Sequence, residues 1–175
     1  WKEYDKKAEN KILTVLETSK HTKKSTLFEG HVINTLLKNI ADKSLLFSGN
    51  SMAIRDFDTF ITQSTSRGKS IDFYANRGTS GIDGNLSTFL GLLTNHNGYG
   101  VIMLGDLSFY HDMNSLLICR ELAKKGYNAT IILINNSGGG IFNYLPQHQL
   151  DEFDRLWNTD TQLDFQYSAK LYNLN

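Results

Sequence analysis

Four short apolar runs, at residues 44–47, 71–74, 101–104 and 130–134, alternate with stretches whose apolar residues recur at helical spacing. Runs of that length are too short for helices and suit strands; those at 44–47, 101–104 and 130–134 read as buried on both faces. Between them lie Ile54, Phe57 and Ile61, then residues 85–94, then residues 114–125, each with a helical pattern. Gly126 stands where a helix C′ residue is expected. Strands alternating with helices predict an α/β fold: three layers, a mainly parallel sheet, right-handed crossovers and helices on both faces.

Upstream, Trp1, Tyr4, Ala8, Ile12, Val15 and Leu16 keep a helical period. Residues 19–25 read as an exposed polar loop. Thr26-Leu27-Phe28-Glu29 fits a capping box opening a helix with Phe28, Val32, Ile33, Leu36, Leu37 and Ile40 on one face. We therefore expect residues 1–25 to end a preceding linker or helix, and residues 26–175 to form one domain. Residues 164–175 read as a helix with no strand after it, so the sheet is expected to be incomplete at that end. The start, Trp1-Lys2-Glu3, has no initiator Met and is expected to lie inside a longer protein.

Charge excludes some partners. Eighteen Lys and Arg balance eighteen Asp and Glu over 175 residues, which argues against nucleic acid or an anionic membrane surface as ligand. No apolar run approaches the length that spans a bilayer. The single cysteine, Cys119, rules out an internal disulfide and suits a reducing cytoplasm; by itself it reads as a small buried apolar residue.

In open α/β sheets ligands bind beyond the carboxyl ends of the strands. All four expected ends are polar or glycine-rich: Ser48-Gly49-Asn50-Ser51, residues 76–84, Gly105-Asp106-Leu107-Ser108 and residues 135–140. Asp106 and Asn136 follow strands joined by one helix, so they should be neighbours. A carboxylate beside a carboxamide offers two hard oxygens suited to Mg²⁺, with phosphate oxygens completing the shell. A helix starting after Asp106 would favour that anion, and Gly138 would let its carbonyl approach the metal. Taken singly, the same residues also serve as ordinary turn formers.

Gly-Asp, about thirty residues, then Asn-Asn resembles the signature of thiamine-diphosphate enzymes, in their diphosphate-binding domain. The blocks around it narrow the likeness. Gly49-Asn50-Ser51, Asn76-Arg77-Gly78-Thr79-Ser80-Gly81-Ile82-Asp83-Gly84, Gly105-Asp106-Leu107-Ser108 and Asn135-Asn136-Ser137-Gly138-Gly139-Gly140-Ile141-Phe142, with Leu145-Pro146 beyond, occur in that order. Together they resemble the 2-succinyl-5-enolpyruvyl-6-hydroxy-3-cyclohexene-1-carboxylate (SEPHCHC) synthases of menaquinone biosynthesis, from about Thr26 onward. Leu107 departs from the wider family, which carries Gly-Asp-Gly there.

The resemblance implies a transferase that uses thiamine diphosphate and Mg²⁺, with Mn²⁺ as a substitute. It decarboxylates 2-oxoglutarate and adds the succinyl unit to isochorismate. It also implies that Asp106, the Asn136 side chain and the Gly138 carbonyl hold the metal. Ile82, Gly105, Leu107 and Ser108 would join them against the cofactor, with Ile82 supporting its bent conformation. Two anionic substrates call for fixed positive charge, and the matching positions are Ser51, Arg55 and Arg77; Ile141 and Phe142 would line the apolar wall. Ser51 and Arg55 are one helical turn apart and should share a face. A guanidinium grips carboxylate in two parallel bonds, although spacing alone also allows Arg55 to pair with Asp58 at the surface. His111 lacks partners at metal-ligand spacing and reads as a surface or supporting residue.

No catalytic residue is assigned. None of Glu3, Glu9, Glu17, Glu29, Glu121 or Glu152 has the context of the cofactor-activating carboxylate. The resemblance implies that this group comes from the pyrimidine-binding domain of a second subunit in a homo-oligomer. The chain by itself is expected to be inactive. Other readings are a different thiamine-diphosphate carboligase of the acetolactate synthase type, a non-catalytic Mg²⁺-phosphate module, or a phospho-receiver. The last would want further acidic residues at 48–51, which are absent.

Overall fold

The four apolar runs become four parallel strands, β1 (Ser44–Ser48), β2 (Ile71–Ala75), β3 (Gly100–Gly105) and β4 (Ala129–Ile134). Their order in the sheet is β2-β1-β3-β4. The protein is thus α/β with an all-parallel sheet, as the alternation predicts. The computed structural model describes residues 1–19, 28–62 and 68–174. They form two compact units: residues 1–41 with 55–69, and residues 42–54 with 70–175. Among the described residues no helix is long and apolar enough to cross a membrane.

The larger unit is built on side-chain alternation. Leu45 and Phe47 of β1 share a face with Ile102 and Leu104 of β3, because the register pairs Phe47 with Ile102. Leu86, Phe89, Leu90 and Leu93 of α4 (Asn85–Leu93) pack there with Phe109, Leu116 and Leu122. Every residue of β1 is buried, whereas β2 at the sheet edge exposes Asp72, Phe73 and Tyr74. Full burial of such side chains contributes about 1.5–3 kcal/mol each, so the β1–β3–α4 layer anchors this unit.

Helix ends in this unit follow local chemistry. After α5 (Asp106–Asp112) and a single 3₁₀ turn comes α6 (Leu116–Lys124). It stops at Gly126, whose φ of 88° permits two closing bonds, Tyr127 N–H to Leu122 O and Gly126 N–H to Ala123 O. The last helix, α7 (Gln166–Leu171), is shorter than residues 164–175 predict. Asp164 Oδ1 accepts the Gln166 N–H (3.0 Å) and so caps the helix from outside. Asn173 takes φ 54°, and Leu174 N–H closes on Ala169 O, which ends it.

The smaller unit carries α1 (Lys2–Thr18), α2 (Glu29–Asn39) and most of α3 (Met52–Phe60). Thr26 and Leu27 of the expected capping box lie outside the described residues; α2 starts after Phe28, whose own side chain makes no capping bond. Its other end is capped from a distance. Lys69 Nζ donates to the carbonyls of Leu37 (3.0 Å), Lys38 (2.9 Å) and Ile40 (2.7 Å), placing a cation where the helix dipole is negative. On α2 the buried stripe is Ile33, Asn34 and Leu37, with Val32 and Leu36 only half-buried. Ile61, expected on the face of α3, falls beyond its end and is exposed. Asp56 is buried, and its carboxyl is raised to about 6, first by burial and then by the charge of Glu29.

Candidate functional site

Parallel strands put all four carboxyl ends on one edge of the sheet. From β1 the chain crosses to β2 on one side, and from β3 to β4 on the other. The reversal opens a crevice beyond the ends of β1 and β3, the place where open α/β sheets take ligands. Gly49-Asn50-Ser51 ends β1 there, and Gly105-Asp106 ends β3.

Backbone strain gathers at these ends. Ser51 (φ 64°), Ser80 (φ 57°) and Ser137 (φ 64°) adopt the left-handed region in the turns after β1, β2 and β4. Side chains there cost energy that the surroundings must offset, a frequent mark of functional turns. Ser51 therefore precedes α3 in a non-helical conformation, and its four-residue spacing to Arg55 is not a helical turn. The expectation of a shared helix face is corrected on that ground. Arg55 itself lies within α3.

Asp106 is 2% exposed and is the first residue of α5. Its Oδ2 accepts the Gly138 N–H at 2.7 Å, joining the β3 end to the turn after β4. Burial pushes its carboxyl up; the N–H groups of Leu107, Gly138 and Asp106 itself pull it partly back, and the charge of Asp160 pushes it up again. A buried carboxylate facing N–H dipoles and a second carboxylate favours a cation beside it. The turn is shaped for close approach. Gly138 has φ 129°, and a Cβ there would run into the backbone oxygen of Asn158. Gly139 N–H donates to that same oxygen at 2.7 Å. A Cβ on Gly140 would strike the Asn136 amide, so the carboxamide lies over the glycine triplet.

Asp106 is bonded to the Gly138 N–H, and Asn136 lies against Gly140 of the same turn; a carboxylate, a carboxamide and a backbone carbonyl are donor types that fit Mg²⁺. Among the described residues no three His, Cys, Asp or Glu side chains cluster as a metal nest. With a single carboxylate, the remaining positions suit water and diphosphate oxygens.

Opposite, a side-chain network holds the glycine block after β2. Asn50, 4% exposed, donates through Nδ2 to Gly81 O (2.6 Å) and accepts Arg77 Nη1 on Oδ1 (3.0 Å). Asn85, with no exposed surface, places Nδ2 near Gly81 O (3.2 Å), Ile82 O (3.0 Å) and Ser108 Oγ (3.0 Å). Ser108 Oγ donates to Ile82 O at 2.6 Å. The Ile82 side chain emerges 37% exposed, an apolar surface on a polar rim. Ser108 is next but one to Asp106, so the block and the carboxylate share one scaffold.

Ile141 and Phe142 lie on a 3₁₀ turn (Gly140–Tyr144), half-buried, with Phe142 against Gly139. Gly105 ends β3 in extended conformation, and Leu107 follows Asp106 on α5. His111 is exposed beside the Tyr110 ring. Sequence reasoning missed Asn50 and Asn85 as loop holders, Asn158 as the backbone partner of Gly138 and Gly139, and Asp160 as a second charge near Asp106. Two buried asparagines at strand and helix ends were a usable signal; Asn158 sits in no motif.

No protein-family model matches the chain. It is similar to 2-succinyl-5-enolpyruvyl-6-hydroxy-3-cyclohexene-1-carboxylate synthases of Staphylococcus aureus. Those of strains MRSA252, MSSA476 and MW2 are each 42% identical over 177 aligned positions, which cover 100% of this chain. The chain spans 29% of the length of these relatives. Along its whole length, then, the chain is similar to one segment of the SEPHCHC synthases.

Proposed function

We propose that this chain, taken as the diphosphate-binding domain over residues 26–175, supplies the metal-diphosphate half of a thiamine-diphosphate site for the SEPHCHC synthase reaction. One observation carries the reading: a buried Asp106, pinned by the Gly138 N–H at a sheet switch point, in a chain similar throughout to these synthases. Asp106, Asn136 and the Gly138 carbonyl would hold Mg²⁺, with Mn²⁺ as a substitute. The metal and the edge formed by Gly105, Leu107 and Ser108 would receive the diphosphate. When bound, the cofactor supplies the carbon nucleophile and electron sink for decarboxylating 2-oxoglutarate and joining its succinyl unit to isochorismate.

The chain's own residues bind and orient. Ile82 offers its exposed apolar side chain to the cofactor rings. Arg77 spends one Nη1 donor on Asn50, which fixes the guanidinium and leaves its outer fork suited to a substrate carboxylate. Ser51 and Arg55 are assigned to the same anionic substrates by the resemblance. Ile141 and Phe142 give the wall an apolar stretch that sheds water. The activating glutamate would come from the pyrimidine-binding domain of a second subunit in a homo-oligomer, in the cytoplasm, so the chain alone would not turn over.

Calorimetric titration with Mg²⁺-thiamine diphosphate, beside Asp106→Ala, tests this reading in the full protein. Heat of binding that requires Mg²⁺ and falls at least about a hundredfold in affinity in the variant is the expected result. Equal binding by both proteins would remove Asp106 from the metal site. Product formation that needs pyruvate instead of isochorismate would shift the assignment to an acetolactate synthase-type carboligase.

A further inference from the structure

Asn85 opens α4 and is fully buried, yet its side chain serves no helix-capping bond. Its Nδ2 instead faces three successive carbonyls, Gly81 (3.2 Å), Ile82 (3.0 Å) and Asp83 (3.4 Å), and Ser108 Oγ at 3.0 Å. Its Oδ1 has no partner among the described residues. A buried acceptor left alone is costly, so the amide is oriented by the carbonyls it serves. The wrapped segment runs between two left-handed residues, Ser80 (φ 57°) and Gly84 (φ 66°), which turn the backbone around that single amide.

The neighbouring bonds make the geometry over-determined. Each carbonyl has two lone pairs. Gly81 O uses one for Asn50 Nδ2 and offers the other to Asn85; Ile82 O does likewise with Ser108 Oγ. Ser108 both accepts from Asn85 and donates to Ile82, and it stands on the helix that begins with Asp106. The Ile82 backbone is therefore tied to the carboxylate end of the crevice twice, directly by Ser108 and through one buried amide.

We propose that Asn85 is a positioning residue: it fixes the backbone of residues 81–83 so that the Ile82 side chain stands where the rings of the cofactor rest. This rests on the functional reading above. Only a short amide can do it. A carboxylate would repel three carbonyls, and a leucine of similar size could donate to none.

Asn85→Leu in the full protein is the decisive variant. It should fold, because Gly81 O keeps Asn50 and Ile82 O keeps Ser108, and the lone Oδ1 disappears. Two probes separate the ring end from the metal end: Mg²⁺-thiamine diphosphate and Mg²⁺-pyrophosphate, which has no rings. The expected result is an affinity loss of about tenfold or more for the first and less than about twofold for the second. In the cofactor-free protein, amide exchange at residues 81–84 should speed at least about tenfold. Ser108→Ala, which cuts the same link from the other side, should shift thiamine diphosphate in the same direction by fewer fold.

Thiamine diphosphate affinity within about twofold of the unmodified protein would overturn the proposal, as would equal loss of both probes. If the unmodified protein binds no thiamine diphosphate, the functional reading itself falls. The exchange result then decides the loop-holding role alone: unchanged exchange in Asn85→Leu refutes it, and faster exchange supports it.

Discussion

The two glycine-rich turns of the sheet edge use one residue type for opposite purposes. In the turn after β2, a Cβ on Gly78 or Gly84 would meet nothing within 4 Å, and on Gly81 only the Asp83 carboxylate. In the turn after β4, a Cβ on Gly138 or Gly139 would meet the backbone of Asn158 or Trp157, and on Gly140 the Asn136 amide. The first turn is held from beneath by the side chains of Asn50, Asn85 and Ser108 and leaves its outer surface open. Backbone bonds and packing hold the second. One is a surface kept clear; the other is scaffolding that aims Asp106.

That contrast is sharpest at Gly138. Gly138→Ala combines an unfavourable φ with a collision against rigid backbone, and should cost about 3 kcal/mol or more in a urea titration. A cost below about 1 kcal/mol would show that the second turn gives way like the first.

A reference from outside both turns is Asp56. Its folded-state carboxyl titrates at about 6, against an ordinary 3.8, so the fold favours the protonated form. Its contribution is fullest below about pH 4, declines as the unfolded chain ionises, and levels off above about pH 6, a loss of order 2–3 kcal/mol. Asp56→Asn should flatten that slope in stability measured between pH 4 and 7. Slopes that match in both proteins would assign the dependence to other groups.

Within the first turn, Gly84→Ala meets no clash and pays only for its φ of 66°, about 1 kcal/mol. Gly78→Ala pays for neither and should move the denaturation midpoint by no more than about 0.5 kcal/mol equivalent. A loss at Gly78 as large as at Gly138 would erase the distinction between the turns.

Much of this was legible along the chain. The strands follow from the apolar runs, and Gly126 marked the end of α6 because its left-handed conformation is a local property. Asp106 could be singled out because a carboxylate is unusual directly after a buried strand, and Gly138 because it opens a glycine triplet. What escaped depends on contacts distant in sequence. Asn158 O reaches the Gly138–Gly139 backbone with a main-chain atom, which no residue type announces. Asn85 reads as a helix opener, and its bond to Ser108 emerges only once α4 and α5 lie side by side. The Ser51–Arg55 spacing is misleading because Ser51 stands one residue before the helix, in a left-handed conformation.

The strand order also shapes how the molecule assembles. β1 is central, with Leu45 pairing Asp72 on one side and Gly100 on the other. All three ladders among the described residues are parallel, so each must wait for a distant segment; contact order is high and loop-closure entropy is paid before pairing returns it. Until β3 arrives, one row of β1 donors and acceptors stands bare, beside the exposed aromatics of β2. A nascent chain paused between residues 75 and 100 would present a sticky half-sheet, open to mispairing until β3 is made.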